Sequence, residues 1–262
     1  MEKMEFYKFD GAGNDFVLLD NRAGRLALEE SEVARICHRR YGVGADGLLM
    51  LNPPQGEADF EMVYYNSDGR VGTMCGNGGR CIAAFAMLLG MGRRLRFAAS
   101  DGVHRAEIVD WDSASRKGVV RLGMKDVDKD GVRQVLDGRW VDTGSPHYVQ
   151  MVERLDSVDV EREGRRLRNR VDLFPGGTNV DFVEKRGDGR IAVRTYERGV
   201  EAETWACGTG VTACAMLTGC RRVEARGGSF EVEYRETETA YSEVWLTGPV
   251  ALNFTGEWRT RN

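Results

Sequence analysis

One unit occurs twice along this chain, and that repeat constrains the fold more than any other feature. Around Cys75 the sequence reads YYNSDGRVGTMCGNGGRCIAAFAML, and around Cys207 it reads RTYERGVEAETWACGTGVTACAML. Each copy has a strand-like segment ending in Tyr plus a polar residue, then a loop, then Cys-Gly-x-Gly opening a helical pattern. The two cysteines are 132 residues apart in a chain of 262. Self-similarity at that spacing points to duplication of one α/β unit. A charged, glycine-containing stretch, KDVDKDGVR from Lys125 to Arg133, has the composition expected at the boundary between the halves.

Strand signals dominate. Phe60 to Asn66, Gly118 to Leu122, Ile191 to Glu197 and Phe230 to Arg235 alternate β-branched or aromatic residues with polar ones. Turns at Ser67-Asp68-Gly69 and Gly187-Asp188-Gly189 punctuate them. Helical patterns cover Glu30 to Arg40, Gly78 to Leu89 and Gly210 to Leu217. The last two are small and apolar almost all round, which predicts helices buried inside a curved sheet. The fold class is therefore α/β, with long antiparallel stretches.

Composition removes several classes of function. A hydrophobic fraction of 42% and a charged fraction of 30% are those of an ordinary soluble globular chain. A net charge of -4 gives no basic footprint for nucleic acid. The cluster Arg162, Arg165, Arg166, Arg168 and Arg170 is interleaved with acids and reads as a solvated face. No apolar run approaches the ~20 residues needed to cross a bilayer. MEKMEFYKFD has no apolar signal segment, so a cytoplasmic location is expected. There the six cysteines (37, 75, 81, 207, 214, 220) should be thiols. They include no CxxC pair and the three histidines are scattered, so no metal site is expected.

The two Cys-Gly-x-Gly blocks carry the chemistry. A cysteine at a helix N-terminus sits in the positive end of the helix dipole, which lowers its pKa toward thiolate. The glycines after it allow close approach to the N–H groups of the first turn, a site for a carboxylate or phosphate. Walker A requires Gly-Lys-[Ser/Thr] and a dinucleotide fingerprint requires G-x-G-x-x-G, and neither copy has them. A carboxylate fits better. The alternative is purely structural, with glycines for helix packing and cysteines as small buried hydrophobes. Two thiols at one carboxylate site suit inversion of a carbon bearing an acidic hydrogen, one removing a proton from one face and the other returning one to the opposite face. Cys37, Cys81, Cys214 and Cys220 lie in or beside helical patterns and are assigned to packing.

Together GAGNDF (11–16), YNSDG (65–69), MCGNGGRC (74–81), PH (146–147), YERG (196–199) and ACGTG (206–210) resemble the diaminopimelate epimerase family, in its order and spacing over essentially the whole chain. The resemblance implies two pseudo-symmetric domains, each a curved, largely antiparallel sheet wrapped around a central helix, with the active site in the interdomain cleft. The halves would be residues 1–125, completed by a C-terminal strand at about 251–262, and residues 126–250. It implies interconversion of LL- and meso-2,6-diaminopimelate by Cys75 and Cys207, without pyridoxal phosphate, metal or other cofactor, on the route to lysine and peptidoglycan. Asn14, Asn66 and Asn179 would hold polar ends of the substrate, and Glu197 and Arg198 would bind it, with Arg198 pairing with the distal carboxylate. Gly76, Asn77, Gly208 and Thr209 would offer backbone donors to the reacting carboxylate. His147 and Glu197 would assist proton traffic, with Ser145 beside them. The only partner implied is the small-molecule substrate, with no nucleic acid or membrane; a homodimer stays open.

Two positions depart from the family pattern: Gly47 follows Asp46 where many members have Gln, and Ser145 precedes Pro146-His147 where many have Asn. A related two-cysteine racemase of proline or hydroxyproline remains the nearest alternative, though the Gly-Asn-Asp-Phe block and Glu197-Arg198 favour a substrate with a second charged end. A non-catalytic binding protein, or an isomerase without two thiols, is disfavoured by retention of both cysteines. A thiol redox protein lacks a close cysteine pair.

Overall fold

The computed structural model describes residues 3–259. Among these, the chain forms two compact units, one running up to Leu122 and resumed from Pro249, the other spanning Gly123–Gly248.

The first unit contains β1 (Lys3–Gly11), β2 (Asn14–Asp20), α1 (Glu30–Cys37), β3 (Gly47–Asn52), β4 (Phe60–Asn66), α2 (Gly76–Leu88), β5 (Arg94–Ala99), β6 (Gly102–Asp112) and β7 (Lys117–Gly123). Successive strands pair in chain order, β1 with β2 antiparallel, β2 with β3 parallel, β3 with β4 antiparallel, and so on to β7. Parallel steps need a crossover; α1 supplies the one from β2 to β3 and α2 the one from β4 to β5.

Helix α2 packs against β1, β2, β3, β4 and β6, and all its residues from Gly76 to Ala86 are buried. A helix apolar on every side must be enclosed, and five strands of one sheet enclose it. Fully buried Phe85, Ile82 and Phe97 each contribute about 1.5–3 kcal/mol by leaving water. Both cysteine helices start two residues earlier than their sequence patterns suggest, at Gly76 and Gly208, so glycine opens each. Helix α1 stops at Cys37 and not Arg40 because Val43 and Gly44 donate to the Ile36 carbonyl and Ala45 to that of Cys37.

The second unit comprises β8 (Val127–Asp128), β9 (Arg133–Val135), β10 (Gly138–Asp142), β11 (Pro146–Met151), α3 (Val160–Arg168), β12 (Asn179–Arg186), β13 (Arg190–Glu197), β14 (Ala202–Thr204), α4 (Gly208–Thr218), β15 (Arg222–Ala225), β16 (Gly228–Glu236) and the start of β17 (Ala240–Arg259). Helix α4 is buried from Gly210 to Leu217 and packs against β10, β11, β12, β13, β15 and β16. Its surroundings repeat the plan of α2. The Lys125–Arg133 stretch is built into this unit: β8 pairs with β17, and the Lys129 N–H donates to the Thr239 carbonyl. The end of β17 then pairs with β1 from Asp10↔Ala251 to Lys3↔Arg259; residues 260–262 of the expected C-terminal strand lie outside the described residues.

The arginine cluster forms α3, an element the sequence pattern does not announce. Asp159 caps it by accepting from the Arg162 N–H, and only Val160, Gly164 and Leu167 are buried. That leaves too few apolar positions for a helical period to show. Its arginines meet Glu163, Glu201 and Asp172, as a solvated face should.

Candidate active site

Each unit places its cysteine at the N-cap of its buried helix. Cys75 has φ -115°, ψ 122° and Cys207 has φ -113°, ψ 114°, so the repeat is preserved in backbone geometry as well as in sequence. The cap carbonyls of Cys75 and Cys207 accept from the N–H groups of Gly79 and Val211. The N–H groups of Gly76, Asn77, Gly208 and Thr209 thus belong to first turns, where a helix has no carbonyl of its own to offer them.

In the first unit, the Cys75 thiol donates to Asn14 Oδ1 at 3.7 Å, and Asn77 Nδ2 donates to the same oxygen at 3.3 Å. Asn14 Nδ2 donates to Asp46 Oδ2 at 2.8 Å. Arg39 bridges Asp46 and Asp15 at 2.7 Å each, and Lys8 donates to Asp15 and to the Gly44 carbonyl. Burial alone would raise the Asp15 carboxyl, but hydrogen bonds from Arg39 and Lys8 overcome it and hold it at about 2. On the other side, fully buried Arg80 donates to Asn77 Oδ1 at 2.9 Å and to the Gly76 carbonyl at 3.3 Å. This fixes which end of the Asn77 amide faces Asn14. The Asn66 amide donates to the Arg70 carbonyl at 3.4 Å across the turn that follows β4. Gly47 has a steric reason: a Cβ there would stand 2.5 Å from the Tyr64 ring and 2.6 Å from the Tyr65 carbonyl oxygen.

In the second unit, Cys207 Sγ lies 3.3 Å from Thr209 Oγ1 and 4.0 Å from His147 Nε2. His147 Nε2 is 2.8 Å from the Thr209 hydroxyl, and its Nδ1 is 2.7 Å from Asp181 Oδ2. The His147 and Asp181 side chains are both fully buried. Asn179 Oδ1 accepts from the Arg198 N–H at 2.8 Å. Its Nδ2 donates to Ser145 Oγ at 3.1 Å and the Pro146 carbonyl at 2.9 Å, and lies 3.3 Å from His147 Nε2. Ser145 therefore still supplies a hydrogen-bond partner where many family members have Asn. Arg198 Nη1 donates to the Gly176 carbonyl at 2.8 Å.

Burial pushes the Cys207 thiol well above its ordinary range, and the carboxylates of Glu197 and Asp181 push it the same way. Hydrogen bonds from Thr209 and the Gly210 N–H act in the opposite direction. This corrects the expectation of a thiolate at the helix terminus: losing water costs the anion more than the dipole and its donors return. No disulfide joins the six cysteines. Among the described residues no group of three or more His, Cys, Asp or Glu is placed to hold a metal, and no helix is long and apolar enough to cross a membrane.

The sequence pointed to Cys75, Asn14 and Asn77, and to Cys207, His147, Asn179, Ser145 and Thr209; each set is brought together within its unit. It did not point to Arg80, Asp181 or Thr195. Asp181 had a signal: it stands two residues after Asn179 in the strand NVDFV, hence on the same face, where a carboxylate among apolar neighbours needs a partner. Thr195, opposite Asp181 in β13, donates to its Oδ1 at 2.7 Å.

Solved structures with the same fold include a probable proline racemase from Agrobacterium radiobacter (TM-score 0.70, 15% identity, 98% of this chain and 93% of that one). A PhzF-family phenazine biosynthesis protein from Bacillus anthracis matches equally well (TM-score 0.70, 15% identity, 99% and 100%). The fold is thus shared by racemases and PhzF-type proteins, and fold with sequence define an isomerase of the epimerase type. The profile of the family described as diaminopimelate epimerase matches residues 6–124 and 139–252. Proteins named diaminopimelate epimerase are 39% identical in Flavobacterium psychrophilum (96% of this chain, 98% of the relative) and 41% in Chlorobaculum tepidum (94% and 98%). A third, from Archaeoglobus fulgidus, is 39% identical (97% and 96%). The chain belongs to the diaminopimelate epimerase family.

Proposed function

We propose that this chain interconverts LL- and meso-2,6-diaminopimelate by a two-base thiol mechanism, with Cys75 acting from one unit and Cys207 from the other. The observation that carries the reading is the matched pair of N-cap cysteines, each followed by a glycine-opened helix buried over most of its length. The first-turn N–H groups, including those of Gly76, Asn77, Gly208 and Thr209, receive the α-carboxylate. They stabilise the charge that develops when the α-proton leaves. One cysteine, as thiolate, takes the proton and the other, as thiol, returns one to the opposite face. Arg198 pairs with the distal carboxylate and Glu197 lies beside Cys207. Asn14 and Asn66 address polar ends of the substrate. Asn179, engaged by its neighbours in the structure, contributes by holding Ser145, His147 and the Arg198 backbone.

The same reading needs neither pyridoxal phosphate nor metal and places the protein in the cytoplasm, in lysine and peptidoglycan precursor synthesis. It is supported by the names of the full-length relatives. The test is incubation with LL-diaminopimelate in D2O without added cofactor, stopped at low conversion. The donor thiol exchanges with solvent, so early meso product carries deuterium at the inverted centre while remaining LL substrate is protiated. Early product that keeps the substrate hydrogen refutes the two-base relay.

A further inference from the structure

We infer that Asp181 is a positioning residue that fixes the tautomer of His147, so that His147 Nε2 receives the Cys207 proton through the Thr209 hydroxyl. The inference deepens the proposed function and rests on its reading of Cys207 as an acid-base thiol.

The Arg198 N–H can only donate, so the atom of Asn179 that faces it at 2.8 Å is the amide oxygen. The other end of that amide is therefore NH2, whose two hydrogens go to the Pro146 carbonyl at 2.9 Å and Ser145 Oγ at 3.1 Å. At 3.3 Å from His147 Nε2 it offers the ring no acceptor and leaves the Nε2 lone pair to the Thr209 hydroxyl at 2.8 Å. Nδ1 faces Asp181 Oδ2, and a carboxylate oxygen can only accept, so Nε2 keeps its lone pair and the ring proton sits on Nδ1. There Asp181 Oδ2 accepts it at 2.7 Å, while Thr195 holds the other carboxylate oxygen at 2.7 Å. Three strands and a helix contribute to one assignment: β11 carries His147, β12 Asn179 and Asp181, β13 Thr195, and α4 Thr209. Parallel pairing of His147 with Asn179 sets the ring beside the amide, and antiparallel pairing of Asp181 with Thr195 anchors the carboxylate.

Gly210 gives a second, independent sign that the helix is built around this pair. A Cβ at that position would lie 2.6 Å from Asp181 Oδ1 and 3.0 Å from His147 Cε1. The first turn of α4 closes on the His147–Asp181 pair so tightly that only glycine fits.

The path for the proton follows. Direct transfer from Cys207 Sγ to Nε2 would span 4.0 Å, whereas the route through Thr209 uses contacts of 3.3 and 2.8 Å. Thr209 Oγ1 takes the thiol proton as its own hydroxyl proton passes to Nε2. The products are the Cys207 thiolate, an unchanged neutral threonine, and an imidazolium paired with the Asp181 carboxylate. The charged and titratable groups around this path are Asp181 from β12, Glu197 from β13, and the thiols of Cys207 and Cys214 at α4.

The tautomer is read first, without substrate, by two-bond 1H–15N NMR on 15N-histidine protein, with His147→Gln identifying the signal. A protonated Nδ1 and bare Nε2 at neutral pH are expected; a protonated Nε2 overturns the inference. Asp181→Asn is read next. Thr195 continues to donate to the side-chain oxygen, so the new NH2 faces Nδ1 and forces the proton onto Nε2. We expect kcat to fall about 10²–10⁴-fold with KM little changed. Thr209→Ser should retain most activity and Thr209→Val should lose it. A folded Asp181→Asn variant with unmoved tautomer, or with unchanged kcat, overturns the positioning role. Should Cys207→Ala still epimerise while His147 shows the expected tautomer, it is the proposed function that fails and not the tautomer assignment.

Discussion

Gly210→Ala sets two physical effects of opposite sign against each other. In an exposed helix the change would stabilise by about 1 kcal/mol, because alanine loses less backbone entropy on ordering. Here the added methyl would stand 2.6 Å from Asp181 Oδ1. Ordinary contact begins near 3.4 Å, so the carboxylate must retreat by about 0.8 Å. It cannot do so freely, since both oxygens are held at 2.7 Å by His147 and Thr195. Retreat stretches at least one of these bonds past hydrogen-bonding distance. Overpacking costs about 1–3 kcal/mol, and a lost hydrogen bond to a charged group about 1.5–3 kcal/mol. Net of the propensity gain, the variant should be destabilised by roughly 1.5–5 kcal/mol. Urea unfolding followed by circular dichroism measures it as a lower midpoint at unchanged m-value. A variant as stable as the parent, or more so, would show that α4 has room the distances deny and would refute the packing argument.

Three further outcomes are expected. Cys75→Ala and Cys207→Ala should each abolish epimerisation with far-UV circular dichroism unchanged, since neither thiol can serve the other's face; normal turnover by either sinks the two-base mechanism. Arg198→Met should reduce kcat/KM on diaminopimelate by about 2–5 kcal/mol, the scale of truncating a hydrogen-bonded charge pair; an unchanged kcat/KM assigns Arg198 to the Gly176 contact alone and reopens the proline-type alternative. Stability should fall on the alkaline side. Burial raises Cys37 to about 12 and pushes Cys81, Cys207 and Cys214 well up, whereas unfolded thiols titrate near about pH 8.5. The native state keeps protons the unfolded chain gives up, so this stabilisation is complete below about pH 8.5 and is lost as pH rises toward the folded values, at up to about 1.4 kcal/mol per unit and per thiol. Urea midpoints between about pH 7 and pH 10 test it, and Cys37→Ala should flatten the slope by one thiol; a midpoint independent of pH across that range contradicts the burial argument.

The sequence by itself determined the repeat, the two buried helices and the thiols at their starts, because these are local properties. Residues apolar on every side of a helical turn demand enclosure, and glycine after cysteine marks the helix opening wherever it stands. Strands such as Phe60–Asn66 were legible for the same reason, their period being written in neighbouring residues. Helix α3 was not, since only Val160 and Leu167 mark an apolar face and its remaining support comes from an aspartate cap and ion pairs. What only the tertiary structure decided is how residues remote in sequence set each other's state. His147, Asp181, Thr195 and Thr209 come from β11, β12, β13 and α4, and nothing local to any one of them specifies the others. The Cys207 thiol shows the consequence. Its place at a helix terminus argues for a thiolate, but the solvent removed and the carboxylates brought near by folding decide for the thiol, because the charge of a buried group depends on everything packed against it.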